Sequence, residues 1–256
     1  NRLTLTADYY HKRTDDLLFN RVIPTQTGYN SIAVNLGSIE NKGFEFELSA
    51  RPLTGKVKWT TALNMGFNRN KVLSLPGNAD IIAGRSILRV GEPIGSFFGF
   101  QQLRVFPTDE SNTNQLRFNS ATGFVYRGGD VEFLDANNDK VINNSDRVIL
   151  GNPNPDFTGG LTNTISYAGF DLNVFANFSY GNKIFNEVRR DRDSHRLGTG
   201  AGASTDVLNR WRNPGDVTDF PKVYVGDERQ NGRQNSSYWM EDGSFIRLKT
   251  VTLGYT

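Results

Sequence analysis

Cysteine is absent from all 256 residues, which excludes a disulfide framework, a thiolate metal centre and a cysteine nucleophile. Histidine is nearly absent: only His11 and His195 occur, and neither stands in metal-ligand or catalytic-triad spacing. No apolar run approaches the ~18 residues that a membrane-crossing helix needs. Charge of one sign is also missing. The 29 Lys and Arg nearly balance the 27 Asp and Glu, and the basic residues are scattered, so no nucleic acid partner is implied. There is no fixed-period repeat and no low-complexity tract. Mean hydropathy is below zero, yet this leaves a membrane barrel open, because its strands show lipid only at every second residue.

Glycine and aromatic side chains are plentiful and helix-favouring stretches few, a content that suits short strands and long loops. Period-two alternation is the strongest signal. Leu3, Leu5, Ala7 and Tyr9 alternate with Thr4, Thr6 and Asp8. Phe44, Phe46, Leu48 and Ala50 alternate with Glu45, Glu47, Ser49 and Arg51. After a turn containing Thr54-Gly55, the set Val57, Trp59, Thr61, Leu63, Met65 and Phe67 continues the pattern, which predicts a hairpin. A second hairpin is predicted around Ala168-Gly169, from Phe157 to Tyr167 and from Phe170 to Tyr180. The run Ser244–Thr256 slips parity near Lys249-Thr250, where a bulge restores the register. Residues 85–106 read as short strands with Gly/Pro turns, and 204–212 as one or two helical turns capped by Ser204 or Thr205.

Each long run is ~10 residues, the length of a tilted strand crossing a bilayer. Tyr9, Tyr10, Phe44, Trp59, Phe67, Tyr167, Phe170 and Tyr180 fall near strand ends, as aromatic girdles do. A soluble β-sandwich shows the same alternation. The connections 71–156 and 181–243 are far longer than sandwich loops, however. The expected class is all-β: antiparallel strands of a large outer-membrane β-barrel with long extracellular loops. Alternation already runs at the first residues and still runs at the last, so residues 1–256 are expected to be part of a longer barrel.

One segment has a specific donor pattern. In Asp135–Asp146, oxygen donors fall at loop positions 1, 3, 5, 9 and 12, namely Asp135, Asn137, Asp139, Asn143 and Asp146. The Val141 carbonyl takes position 7, and Ile142 is the apolar residue that such loops tuck inward. A hard cation needs six or more converging oxygens, so Ca2+ is the expected ion. Lys140 stands where the sharp turn favours Gly, and Asp146 where a bidentate Glu is usual. The same residues also suit an ion-free polar turn.

Other motifs are weaker. Gly198–Ala203 satisfies G-x-G-x-x-A, but the charged run before it is no buried strand. Ser194 beside His195 is adjacency only. Glu45 and Glu47 share a face and could form a carboxylate pair, although lumen-facing polar residues explain them as well. No enzyme is expected.

Several stretches together resemble the C-terminal half of SusC/RagA-type TonB-dependent transporters. They are Gly37-Ser38-Ile39-Glu40-Asn41-Lys42-Gly43-Phe44-Glu45, Val90–Phe97, Gly128–Asp135 with the loop after it, Asp146–Gly160, Trp211 with Pro214-Gly215, and Glu241–Lys249. Lys140 departs from the family's usual glycine. The resemblance implies a bacterial outer-membrane barrel of about 22 strands around a plug, with the plug lying outside these residues. It implies a SusD-like surface lipoprotein partner, energy from the TonB complex, contact with membrane lipid, and a glycan or peptide substrate. Trp211, Tyr238 and Trp239 are candidates for stacking on sugars, or equally for packing the loops. A calcium-stabilised adhesin or recognition module, a passive porin and a glycosidase are the alternatives to import.

Overall fold

A computed structural model describes residues 2–22, 31–35, 37–193, 196–197, 204–232 and 235–256. The chain divides into two units. The first holds residues 1–96, 152–183 and 242–256, and the second holds 97–151 and 184–241.

The first unit is a six-stranded antiparallel sheet in which neighbours in space are neighbours in sequence. Its strands are β1 (Leu3–Thr14), β2 (Ser38–Thr54), β3 (Val57–Ser74), β4 (Phe157–Tyr167), β5 (Phe170–Tyr180) and β6 (Phe245–Tyr255). β2 and β3 meet through Gly55-Lys56, and β4 and β5 through Ala168-Gly169, where φ is 49° and 86°. Two positive φ values in a two-residue loop match the right-handed twist of the flanking strands. The remaining connections between these strands leave from the opposite strand ends. β3 runs to Ser74, seven residues beyond Phe67, where the expected alternation ends.

The bulge expected in the last strand is present. Phe175 pairs with Thr250 and Ala176 with Leu248, leaving Lys249 as the extra residue. It keeps Leu248 and Val251 on one face, although three residues separate them.

Register then gives each face its character. On one face, Tyr9, Phe44, Phe67, Phe157 and Tyr180 form a row across five strands. Phe157 packs on Phe67 at 5.7 Å and on Tyr180 at 5.2 Å between ring centroids. Near the tight turns, Val57, Tyr167, Phe170 and Tyr255 form a second row. Ten residues separate the rows, about 34 Å along a strand and about 26 Å after a tilt near 40°. That is the height of the apolar band of an outer-membrane barrel, roughly 25 Å.

Between the rows the side chains are apolar and open: Leu3 is 63% exposed, Leu253 69% and Ile246 84%. A contiguous apolar face of this kind marks a surface that lipid or protein covers. Asn163, an amide on this face, accepts the Trp59 indole N–H at 3.0 Å. Tyr10, expected in a girdle, points the other way. Its neighbour Tyr9 occupies the outward position, so Tyr10 crosses Gly43 on the inner face and donates to Asn68.

The second unit has its own core, formed by Phe100, Phe106, Leu116, Tyr126, Val131, Phe133 and Ile142. Short strands at Gln102–Val105 and Val131–Phe133 pair antiparallel. A helix, α1 (Glu187–Arg192), is capped by Asn186, which accepts the Arg189 N–H. The alternation gave no sign of it. Thr205–Asn209 forms a 3-10 turn with Ser204 as its cap, as the sequence suggested.

Candidate functional site: a polar inner wall and an oxygen-lined loop

The inner face of the sheet is polar for the same reason that the outer one is greasy: strict alternation sends every second residue inward. One cross-strand row reads Thr6, Glu47, Asn64, Gly160, Asn177, Arg247, and the next Asp8, Glu45, Gly66, Thr158, Ser179, Phe245. All of these but Arg247 line a hollow of about 700 Å³. Asp8 stands directly opposite Glu45. Like charges placed so repel, so this part of the wall is acidic. The Asn177 side-chain oxygen beside it is covered and has no hydrogen-bond partner. Glu45 and Glu47 are thus wall residues two positions apart on one strand.

The second site lies in the other unit. Asp135 accepts the N–H groups of Asp139 (3.2 Å) and Lys140 (2.8 Å) through its two oxygens. Asn137 Oδ1 accepts Asp139 N–H at 3.0 Å, and Asp139 Oδ1 accepts Val141 N–H at 2.8 Å. Asn143 caps the short turn Asn144–Asp146 by accepting Ser145 N–H. Asp146 is fully buried and accepts Ala136 N–H at 3.0 Å and Asn143 N–H at 2.8 Å. Side chains from both ends of the segment therefore fold its backbone back on itself. Lys140 has φ 65°, the left-handed geometry that a glycine supplies without strain. Ile142 is buried in the unit's core. Among the described residues no three His, Asp or Glu side chains converge closely enough to hold a metal by themselves. A cation held here would also need the Asn137 and Asn143 amide oxygens and the Val141 carbonyl, the mixed donor set that hard cations accept.

The aromatic candidates divide. Trp211 and Trp239 are 6% and 1% exposed, so both pack the second unit. Trp211 donates to the Pro107 carbonyl at 3.0 Å and covers Gly129, where a Cβ would lie 2.7 Å from the indole. Tyr238 is half-buried beneath the Arg189 guanidinium, 4.7 Å away. His11 bonds Glu40 at 2.8 Å on a strand surface. Ser194, His195 and Gly198–Ala203 lie outside the described residues.

Sequence reasoning missed the ion pair that ties the second unit's two segments. Asp130 is fully buried and receives Arg229, Asn231 and the Arg127 N–H. The Arg229 guanidinium lies 3.9 Å over Phe124. Burial, helped by Asp130, pushes the Tyr224 phenol up to about 12 and raises that of Tyr126 further. Ninety-nine residues separate the two partners, and no local pattern links them.

A sheet with one lipid-height apolar face, one polar hollowed face, tight turns at one end and long insertions at the other is a section of outer-membrane barrel wall. Comparison with known proteins agrees. The family model described as TonB dependent receptor-like, beta-barrel, matches residues 1–96. TonB-dependent receptor P3 of Formosa agariphila is 36% identical over 267 residues, and TonB-dependent receptor SusC of Bacteroides thetaiotaomicron 30% over 276. Each alignment takes in 100% of this chain, and 25% and 24% of those proteins respectively. The structure of the RagAB peptide transporter superposes with a TM-score of 0.79 at 21% identity, covering 100% of this chain and 27% of that one. The chain belongs to the β-barrel of TonB-dependent receptors, in the SusC/RagA type, and resides in the bacterial outer membrane. It spans about a quarter of the length of the curated relatives it matches.

Proposed function

We propose that the chain forms wall and outer loops in the C-terminal part of a TonB-dependent importer, which takes up an oligosaccharide or peptide with a SusD-like surface lipoprotein. The observation that carries this is similarity to SusC along the whole chain, joined to an inner wall that is polar and hollowed. The plug, the TonB contact and the energy coupling belong to the rest of the protein. The wall supplies charge and hydrogen-bond acceptors, and no catalysis. Uptake of labelled glycans and peptides by cells with and without the full-length gene tests this. Import is expected to vanish on deletion and on collapse of the proton-motive force. Uptake that survives the collapse indicates a passive pore, and adhesion lost without any change in uptake indicates a recognition protein.

We further infer that residues 135–146 hold Ca2+ through Asp135, Asn137, Asp139, the Val141 carbonyl, Asn143 and Asp146. In support, the backbone at Lys140 takes the glycine-like turn and Asp146 is buried. Bound calcium would tie the two ends of the loop together. A calcium-dependent rise in thermal stability of the full-length receptor, reversed by a chelator and lost in Asp139→Ala, is expected. No response to either calcium or chelator would rule the site out.

A further inference from the structure

Beyond the aromatic row at the loop end, the outer face of the sheet changes chemistry. Two residues further along each strand, His11, Lys42 and Arg69 stand side by side, and two residues beyond them Arg13, Glu40 and Lys71. All six share the face of Tyr9, Phe44 and Phe67, because no register shift intervenes between these positions. At about 3.4 Å per residue and a tilt near 40°, the two rows lie roughly 5 and 10 Å past the aromatic girdle. That is the depth of the headgroup layer. The outward row at the other end, Val57, Tyr167, Phe170 and Tyr255, carries no cation.

The cations are held in place. Lys42 and His11 both bond Glu40, at 2.9 and 2.8 Å. Arg69 is paired with Asp156 at 2.8 Å and Arg13 with Asp15 at 2.9 Å. Asp15 and Asp156 lie past the ends of β1 and β4, so within the two rows Glu40 is the only acid facing four formal positive charges. The side chains of Arg13, Lys42 and Arg69 are 62%, 46% and 64% exposed. Ion pairs so exposed contribute little to stability, which leaves their positions unexplained by folding.

We propose that this paired row of Arg13, Lys42, Arg69 and Lys71 binds phosphate groups of anionic lipid headgroups in the outer leaflet. The lipid interface continues into it without a break, from apolar band to aromatic girdle to cations. Long loops mark this end as the extracellular one. Exposed arginine and lysine at this depth suit phosphate, which arginine can engage through two parallel hydrogen bonds.

The test uses the full-length receptor in detergent, with bis-phosphorylated lipid A and the same lipid after enzymatic dephosphorylation as probes. Co-purifying lipid is quantified by mass spectrometry. Wild type is expected to retain the phosphorylated form preferentially. Joint substitution of Arg13, Lys42, Arg69 and Lys71 by Gln should lower that retention by about tenfold or more, to the level of the dephosphorylated lipid. Lys12→Gln, one position away on the inner face, should leave it unchanged. In wild type, raising ionic strength should erode the preference for phosphate, a readout that stands even if the quadruple variant fails to assemble. Equal retention of both lipids by wild type, or an undiminished preference in a folded quadruple variant, overturns the proposal.

Discussion

Lys140 holds a φ of 65° in a segment whose hydrogen bonds leave it little freedom. A non-glycine residue in this region costs about 1–2 kcal/mol, and its side chain adds a positive charge beside the oxygens that would hold a cation. Lys140→Gly is therefore expected to stabilise the second unit by about 1 kcal/mol and to tighten calcium binding, both visible in thermal unfolding with and without calcium. The buried phenols give a pH prediction. Tyr224 is pushed up to about 12 by burial and by Asp130, and Tyr126 is raised as well. A phenol whose folded pKa exceeds its unfolded value contributes stability that is complete below about pH 10. That contribution is lost as pH rises through the folded value. Absorbance titration should show these two of the nine tyrosines, together with Tyr238, whose burial also raises its phenol, ionising late, with alkaline unfolding of the second unit. Asp130→Ala should bring that unfolding to lower pH and cost about 3–5 kcal/mol, because Arg229 is left without its partner.

At the scale of the strand, glycines and aromatics act as pairs. Tyr10 lies over Gly43, and Phe178 over its cross-strand neighbour Gly159, where an added Cβ would come within 2.1 and 2.5 Å of the rings. Gly43→Val should displace Tyr10, break its bond to Asn68 and lower the heat stability of the folded barrel on unheated gels. Leu161 sits midway between the aromatic rows on the outer face. Leu161→Arg should cost about 2–4 kcal/mol in a bilayer, whereas in water an exposed arginine there would be nearly neutral. These elements were largely legible in the sequence, since alternation is local and a bulge announces itself as a parity slip at Lys249. Tyr10 was misplaced because neighbouring tyrosines cannot share a face. The length of β3 was underestimated because the stretch Asn68–Lys71 is polar on both faces. The donor spacing of 135–146 was also readable. The Asp130–Arg229 pair and the outward cation rows were not, because both arise only once distant segments are brought into register.

At the scale of the whole chain, what covers the outer face decides between two architectures. A sandwich would bury it against a second sheet, and a barrel leaves it to acyl chains. Membership of the TonB-dependent receptor family and the spacing of the aromatic rows both point to lipid. Nitroxide labels placed one at a time along β5, in the full-length receptor in a bilayer, measure the cover directly through collision with oxygen and with a water-soluble nickel complex. Labels at Leu172, Val174, Ala176 and Phe178 should collide mainly with oxygen, with those at Asn173, Phe175 and Asn177 shielded from it. If the first set is shielded from both reagents, or the alternation is missing, the outer face is packed against protein and the barrel-wall account fails.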